Sequence, residues 1–330
     1  MKDVNERYWY KKDLNKGSIS DTKFESLAAS ITLLRHLHSM VAMEYRGDDT
    51  ATTNEEEKQI LEYVWADLEN PGRNATRQEF LQYLMAKKIP NQGFAMYRFL
   101  EPEATRRAVW GKKAFRLYHP VVLIRHKDEA QWQPKELADP KALIVDELVS
   151  WNGAGDLGGV ISDQFGMFFD ARTGVYIRYS FGDPAIIRVR YAHVGTHPPR
   201  TYAEVKQIRF DPHRLQEGTE NGGKCLVEAA ETVVYNLVAV ARAGQGRDND
   251  RIHRYGVHGE PIPLPPVEDK RFGGAKWALG DHQPPHPQYL LYYVRAPPGD
   301  ALGISGAEAA PAMPNVVTNM LTARGAIEPK

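Results

Sequence analysis

Between residues 24 and 41 the apolar side chains Phe24, Leu27, Ile31, Leu34, Leu37 and Val41 recur at steps of three and four. That is helical spacing, and it predicts a helix burying one face. Asp21 or Thr22 reads as its cap. His36 and His38 bracket the apolar face and read as surface or boundary residues. A polar stretch containing NEEEK, read as a solvated helix start, leads to a second helical segment with Ile60, Leu61, Val64, Trp65 and Leu68. The NPG at 70–72 stops it. NATRQEFLQYLMAKK, with Phe80, Leu81 and Leu84 on its apolar side, predicts a third helix.

Beyond Pro90 the pattern changes to short runs of β-branched and aromatic residues bounded by Gly, Pro and Asp. Candidate strands fall at 119–126, 166–170, 174–181, 185–193, 203–210, 233–242, 251–257 and 288–295. Helices followed by strands predict an α+β protein with a mostly antiparallel sheet. From Ala296 to Lys330 the chain is rich in Ala, Gly and Pro and reads as a flexible tail.

The 330 residues carry 42 basic and 42 acidic side chains, with no dense Lys/Arg cluster. The electrostatic footprint of a nucleic-acid binder is therefore missing, and nucleic acid is not an expected partner. A single cysteine, Cys225, excludes an internal disulfide and points to a reducing compartment. The opening MKDVNERYWYKK lacks the apolar run of a secretory signal, and no stretch has the length of a membrane span. The expectation is an intracellular protein of the cytoplasm or nucleus, away from membranes. The NAT at Asn74 is then a chance sequon or local capping chemistry.

Three features, in order, resemble the ubiquitin-specific protease (USP) family of papain-like cysteine deubiquitinases. The family's Cys box, G-N-T-C-Y-M-N-S at the start of a helix, is matched by SDTKFES at 20–26, with Thr22 kept and Lys23 where the cysteine stands. RQEFLQYLM is similar to the family's E-F-L-x-x-L segment. DPAIIRVRYA, YNLVAVAR, NDRIHRY, KWALGD and QYLLYYVR are similar to its later strand motifs. The resemblance runs over about residues 14–295. It implies a helical thumb at about 14–95 and antiparallel β fingers and palm at about 96–295, after an extension at 1–13 and before the tail at 296–330.

Family chemistry needs a thiolate at a helix N-terminus, a histidine base and an Asn or Asp that orients it. Carried over, these positions fall on Lys23, Arg251 and Asp281. Arg251 stays protonated and cannot be a base. A shift of two residues would put His253 in the base position on the same strand face, but it restores no nucleophile. The oxyanion position falls on Ser18. The C-x-x-C pairs that hold zinc in the family's fingers are absent from 145–178, so neither metal nor cofactor is expected. GAGDLGG at 153–159 lacks the G-K-[ST] of a phosphate loop and reads as a flexible fingertip or cleft loop.

What the resemblance implies is an inactive pseudo-deubiquitinase that binds ubiquitin, a ubiquitin-like protein or another protein. The candidate binding residues are Ser18, Ser20, Asp21, Thr22, Lys23, Asp250, Arg251, His253 and Asp281. A cation at a helix N-terminus is unfavourable by roughly 0.3–1 kcal/mol, and a C-terminal carboxylate paired with Lys23 would give it a use. Two rivals stand beside this reading. One is an active hydrolase using His253, Asp281 and either Cys225 or Ser20. The other is a scaffold that has lost ubiquitin and presents apolar residues near Trp151 and Phe165.

Overall fold

The computed structural model describes residues 21–41, 57, 60, 61, 64, 95–101, 103–136, 147–165, 167–193, 198–217, 225–229, 231–242, 251–262, 277–280 and 288–296. At residues 21–28, 95, 97, 98, 216, 217 and 225–229 the description is of the backbone. The third predicted helix, and the tail beyond Ala296, lie outside these residues.

The first helix, α1 (Asp21–Met40), forms where the spacing predicts it. Its surroundings differ from the prediction. Every residue from Ala29 to Leu37 is buried, including Ser30, Thr32, Arg35 and His36. An amphipathic pattern hides this, because polar side chains can be buried when their groups find partners. Arg35 Nε donates to Val64 O at 2.7 Å, and His36 Nε2 lies 2.9 Å from Val238 O. His36 is thus a core residue, whereas His38, half-buried against Phe115, is the boundary residue expected. Ile60 and Val64 are buried in the same core.

The segment read as the onset of strands is helical at first. Helix α2 (Ala95–Leu100) and the short helical turn Glu103–Thr105 lead into one π-helical turn, Arg106–Trp110. Trp110 is fully buried, donates from Nε1 to Leu100 O at 2.7 Å and meets Phe115 edge-on at 5.1 Å.

Then come strands β1 (Val121–His126), β2 (Gln133–Glu136), β3 (Leu148–Trp151), β4 (Met167–Asp170), β5 (Val175–Arg178) and β6 (Ile186–Ala192). They are followed by β7 (Gln207–Phe210), β8 (His213–Glu217), β9 (Cys225–Ala229), β10 (Val233–Arg242), β11 (Arg251–Arg254) and β12 (Gln288–Arg295). The helix α3 (Leu157–Ser162) sits between β3 and β4, and the single turn α4 (Tyr202–Val205) occupies the front half of the run predicted as a strand at 203–210. A capping box explains that difference: Glu204 accepts from the Thr201 amide at 2.8 Å and fixes a helical start.

The central sheet runs β11-β10-β12-β6-β3, with β7 on β10. All its pairs are antiparallel except β3 with β6. A second sheet, β2-β1-β5-β4, is antiparallel throughout, and β8 and β9 form a hairpin. The molecule is thus α+β. Among the described residues no helix is long and apolar enough to cross a membrane.

Both faces of the central sheet are covered, so its strands read as nearly continuous apolar runs. Along β12, Leu290, Tyr292 and Val294 join the core that contains α1 and Trp110, while Tyr289, Leu291 and Tyr293 join the opposite core with Trp151, Phe165 and Phe210. Strand β10 changes parity midway. Tyr235 and Leu237 face the second core, then Ala239 and Ala241 face the first. One extra residue, Val238, forms a bulge between Leu237, opposite Tyr293, and Ala239, opposite Tyr292. Its carbonyl is held by the Tyr255 amide at 2.8 Å and by His36.

Candidate functional site

The strand β11 carries Arg251 and His253 on one face and Ile252 and Arg254 on the other, with the latter pair buried. Ile252 belongs to the core that contains α1. Arg254 acts on His36, whose pKa burial first, and then this cation, lower to about 4. The helix α1 packs against β10 and β11 on this side.

Arg251 and His253 share the opposite face. The His253 ring lies 3.9 Å from that of Trp277, and Trp277 belongs to the second core. The strand registers place two rows side by side on this face. Arg251, Arg242, Tyr289, Tyr191 and Trp151 stand opposite one another across β11, β10, β12, β6 and β3. One step inward, His253 is followed by Val240, Leu291, Val189 and Val149.

The rings of the first row form a continuous path. Trp277 stacks on Tyr289 at 6.3 Å, Tyr289 on Tyr191 at 5.8 Å, and Tyr191 meets Trp151 at 5.1 Å. Arg200 closes the far end. Its guanidinium lies 5.8 Å from the Trp151 ring, donates to Gly153 O at 3.0 Å and Gly155 O at 3.2 Å, and pairs with Glu204 at 3.1 Å. The Arg200 amide donates to the Tyr191 hydroxyl at 2.8 Å. Burial raises the Tyr191 pKa, so the phenol stays neutral.

These bonds correct the reading of GAGDLGG as a flexible loop. Gly153 and Gly155 take positive φ of 91° and 66°, the backbone that lets their carbonyls turn to Arg200. Asp156 then caps α3 by accepting from the Gly159 amide. Trp151 and Phe165 are themselves buried, at 5% and 0% exposure, and the exposed apolar residues near them are Met167, Phe168 and Phe169, just after Phe165. Trp151 lies on a sheet covered on both faces, and Phe165 packs into the core on one of them.

Of the candidate residues, Asp21, Thr22 and Lys23 are the first three of α1. Asp21 and Thr22 are both helical, so neither is the cap read for them. Ser18, Ser20, Asp250 and Asp281 lie outside the described residues. Cys225 opens β9, whose partner is β8. The structure brings Arg251 and His253 together with Arg242, Trp277, Tyr289, Tyr191, Trp151 and Arg200. Arg242 and Arg200 were not singled out in the sequence. Register across the β10 bulge decides which face Arg242 takes, and periodicity alone does not contain that.

Chemically, the two rows hold guanidinium donors suited to an anionic oxygen, aromatic surface and one imidazole packed on an indole. They contain no Cys, Ser or Thr. A thiol or aliphatic hydroxyl nucleophile for His253 would have to come from elsewhere, and α1 lies across the sheet.

No family model matches the sequence, and no curated protein matches it. Nineteen chains of solved structures do match. One is the pseudoubiquitin hydrolase-RNA exonuclease module of Saccharomyces cerevisiae Pan2, in a complex with AAGGAA RNA, at 10% identity and a TM-score of 0.29. The match covers 80% of this chain and 42% of that one. At this TM-score the likeness carries no weight for the function.

Proposed function

We propose that the chain is a USP-like pseudo-deubiquitinase, an inactive thumb, fingers and palm domain that binds ubiquitin or a ubiquitin-like protein. The observation that carries the inactive half of this reading is the position of His253. It packs on Trp277, on the sheet face turned away from α1. A papain-like site needs its base and the start of its helix in one cleft, and the family position for the base holds an arginine. The binding half rests on motif order. The helix that contains Asp21, Thr22 and Lys23 packs on the Tyr235 strand and the strand of Arg251, and by motif order Lys23 and Arg251 take the family's nucleophile and base positions.

Titration calorimetry with free ubiquitin tests this. The expected result is micromolar or tighter binding, weakened about tenfold or more by Lys23→Glu and by amidation of the ubiquitin C-terminus. Arg251→Glu separates the two cations: loss with this variant and none with Lys23→Glu would move the carboxylate to β11. No heat at high concentration would remove ubiquitin as the partner. Turnover of a fluorogenic ubiquitin substrate, abolished by Cys225→Ala, would establish a hydrolase instead.

A further inference from the structure

The sheet β2-β1-β5-β4 has two edges of opposite character. At one edge β2 reads Gln-Pro-Lys-Glu, all exposed. Pro134 lacks a donor, and Lys135 and Glu136 carry charge, which is how natural sheets block pairing by a further strand. At the other edge β4 reads Met-Phe-Phe-Asp and has none of these guards until Asp170. Among the described residues it pairs with β5 on one side and with no strand on the other. The exposed large apolar side chains among the described residues are three in succession on this strand: Met167 at 56%, Phe168 at 43% and Phe169 at 51%.

The two phenylalanines are propped from behind. Phe169 lies 4.9 Å from the Tyr176 ring, and Phe168 lies 5.6 Å from Tyr179. The turn after β4 is fixed as well, since Asp170 accepts from the Arg172 amide at 3.0 Å and the Thr173 hydroxyl at 2.9 Å. The edge is therefore a preformed strand with apolar side chains on both of its faces. Cations stand at its two ends: Arg178 opposite Met167, and Arg172, 91% exposed although its Nε lies 3.6 Å from Asp170, just beyond the strand.

We propose that β4 is a docking edge for an extended segment of another protein, which adds to the sheet as a fifth strand. Alternate residues of β4 turn their backbone donors and acceptors outward for affinity, and Met167, Phe168 and Phe169 give preference for apolar side chains. The cations at the ends select a segment with acidic flanks. A second copy of this chain is a poor occupant, because a ribbon of two four-residue strands falls well short of the roughly 1,200 Å² that a stable interface buries. The edge lies in the segment read as the fingers, but the proposal rests on β4 alone, whereas the ubiquitin reading rests on α1 and β11, so either can fail without the other.

Panning of a phage-displayed random dodecapeptide library on the whole chain tests this, in parallel with a Met167→Lys/Phe169→Lys variant. Both positions are exposed, and a matching thermal melt establishes that the variant is folded. The expected result is enrichment of peptides with alternating apolar residues and Asp or Glu at the ends, lost on the variant. A synthetic copy of the best peptide, N-methylated on the amides that face β4, should bind at least about tenfold more weakly, and methylation of the outward amides should change little. Failure to enrich any peptide that depends on β4 would overturn the proposal. So would equal binding of the two methylated forms, since side-chain docking would then replace strand addition. A dimer in light scattering that Met167→Lys dissolves would give the edge to a second copy.

Discussion

Two buried titratable side chains pull the pH dependence of stability in opposite directions. Glu147, 1% exposed, precedes β3, and burial raises its pKa from 4.5 to about 8 against the opposing pull of Arg188 and Arg116. Its folded value lies above its unfolded one, so its contribution is complete below pH 4.5 and is lost as pH rises toward 8. His36 is the reverse, with a folded value near 4 against 6.5, so its contribution is complete above pH 6.5 and falls as pH drops toward 4. Of the two, Glu147 alone acts between pH 6.5 and 8. Urea midpoints should decline over that window in the native chain and stay flat in Glu147→Gln; an unchanged slope would refute the assignment. Below pH 6.5 the His36→Ala chain should lose the acid-side decline while costing about 1–3 kcal/mol for the buried hydrogen bond to Val238.

Elements are joined here by close backbone contact as much as by side chains. At Gly158 in α3 an added Cβ would stand 2.1 Å from the Arg209 carbonyl oxygen of β7. Because backbone, not a flexible side-chain end, blocks it, Gly158→Ala should cost about 1–3 kcal/mol by overpacking, read as a lowered denaturation midpoint. Gly159, three residues after the Asp156 cap, meets only the Asp156 carboxylate at 3.8 Å. Gly159→Ala should be neutral or slightly stabilising, since Ala is the better helix former. Equal effects at the two positions would contradict the α3–β7 contact.

At the scale of the whole molecule, the central sheet separates two cores that the sequence does not distinguish. Trp110 anchors the first. It meets Phe115, the Tyr292 ring at 6.1 Å and the Arg188 guanidinium at 4.4 Å, and Arg188, 2% exposed, pairs with Glu101 at 3.3 Å. Trp110→Ala should cost about 3–5 kcal/mol and also strand the Arg188 charge without its aromatic cover. The loss should appear in global unfolding. If hydrogen exchange showed loosening confined to α2 and the turn after it, the core would be less cooperative than this packing implies.

The sequence by itself determined that α1 exists, that strands follow helices, and that β1, β4, β5, β6, β10, β11 and β12 lie close to where alternation and β-branched runs put them. Those signals are local, set by the 3.6- and 2-residue repeats of each element. It left β2, β3, β8, β9, α2 and α3 unread. Their runs are short or polar, as in Gln-Pro-Lys-Glu of β2 and Leu-Gly-Gly of α3, and partners across the fold or a cap hold them. Only tertiary structure decided that α1 is buried on every side between Ala29 and Leu37, and that His36 is core. The same holds for the site. Arg251 and His253 were legible as neighbours on one strand face, but which face that is depends on α1 covering the other. Arg242 joined them through a one-residue bulge, a device whose effect on side-chain parity exists only once β10 is paired with β12.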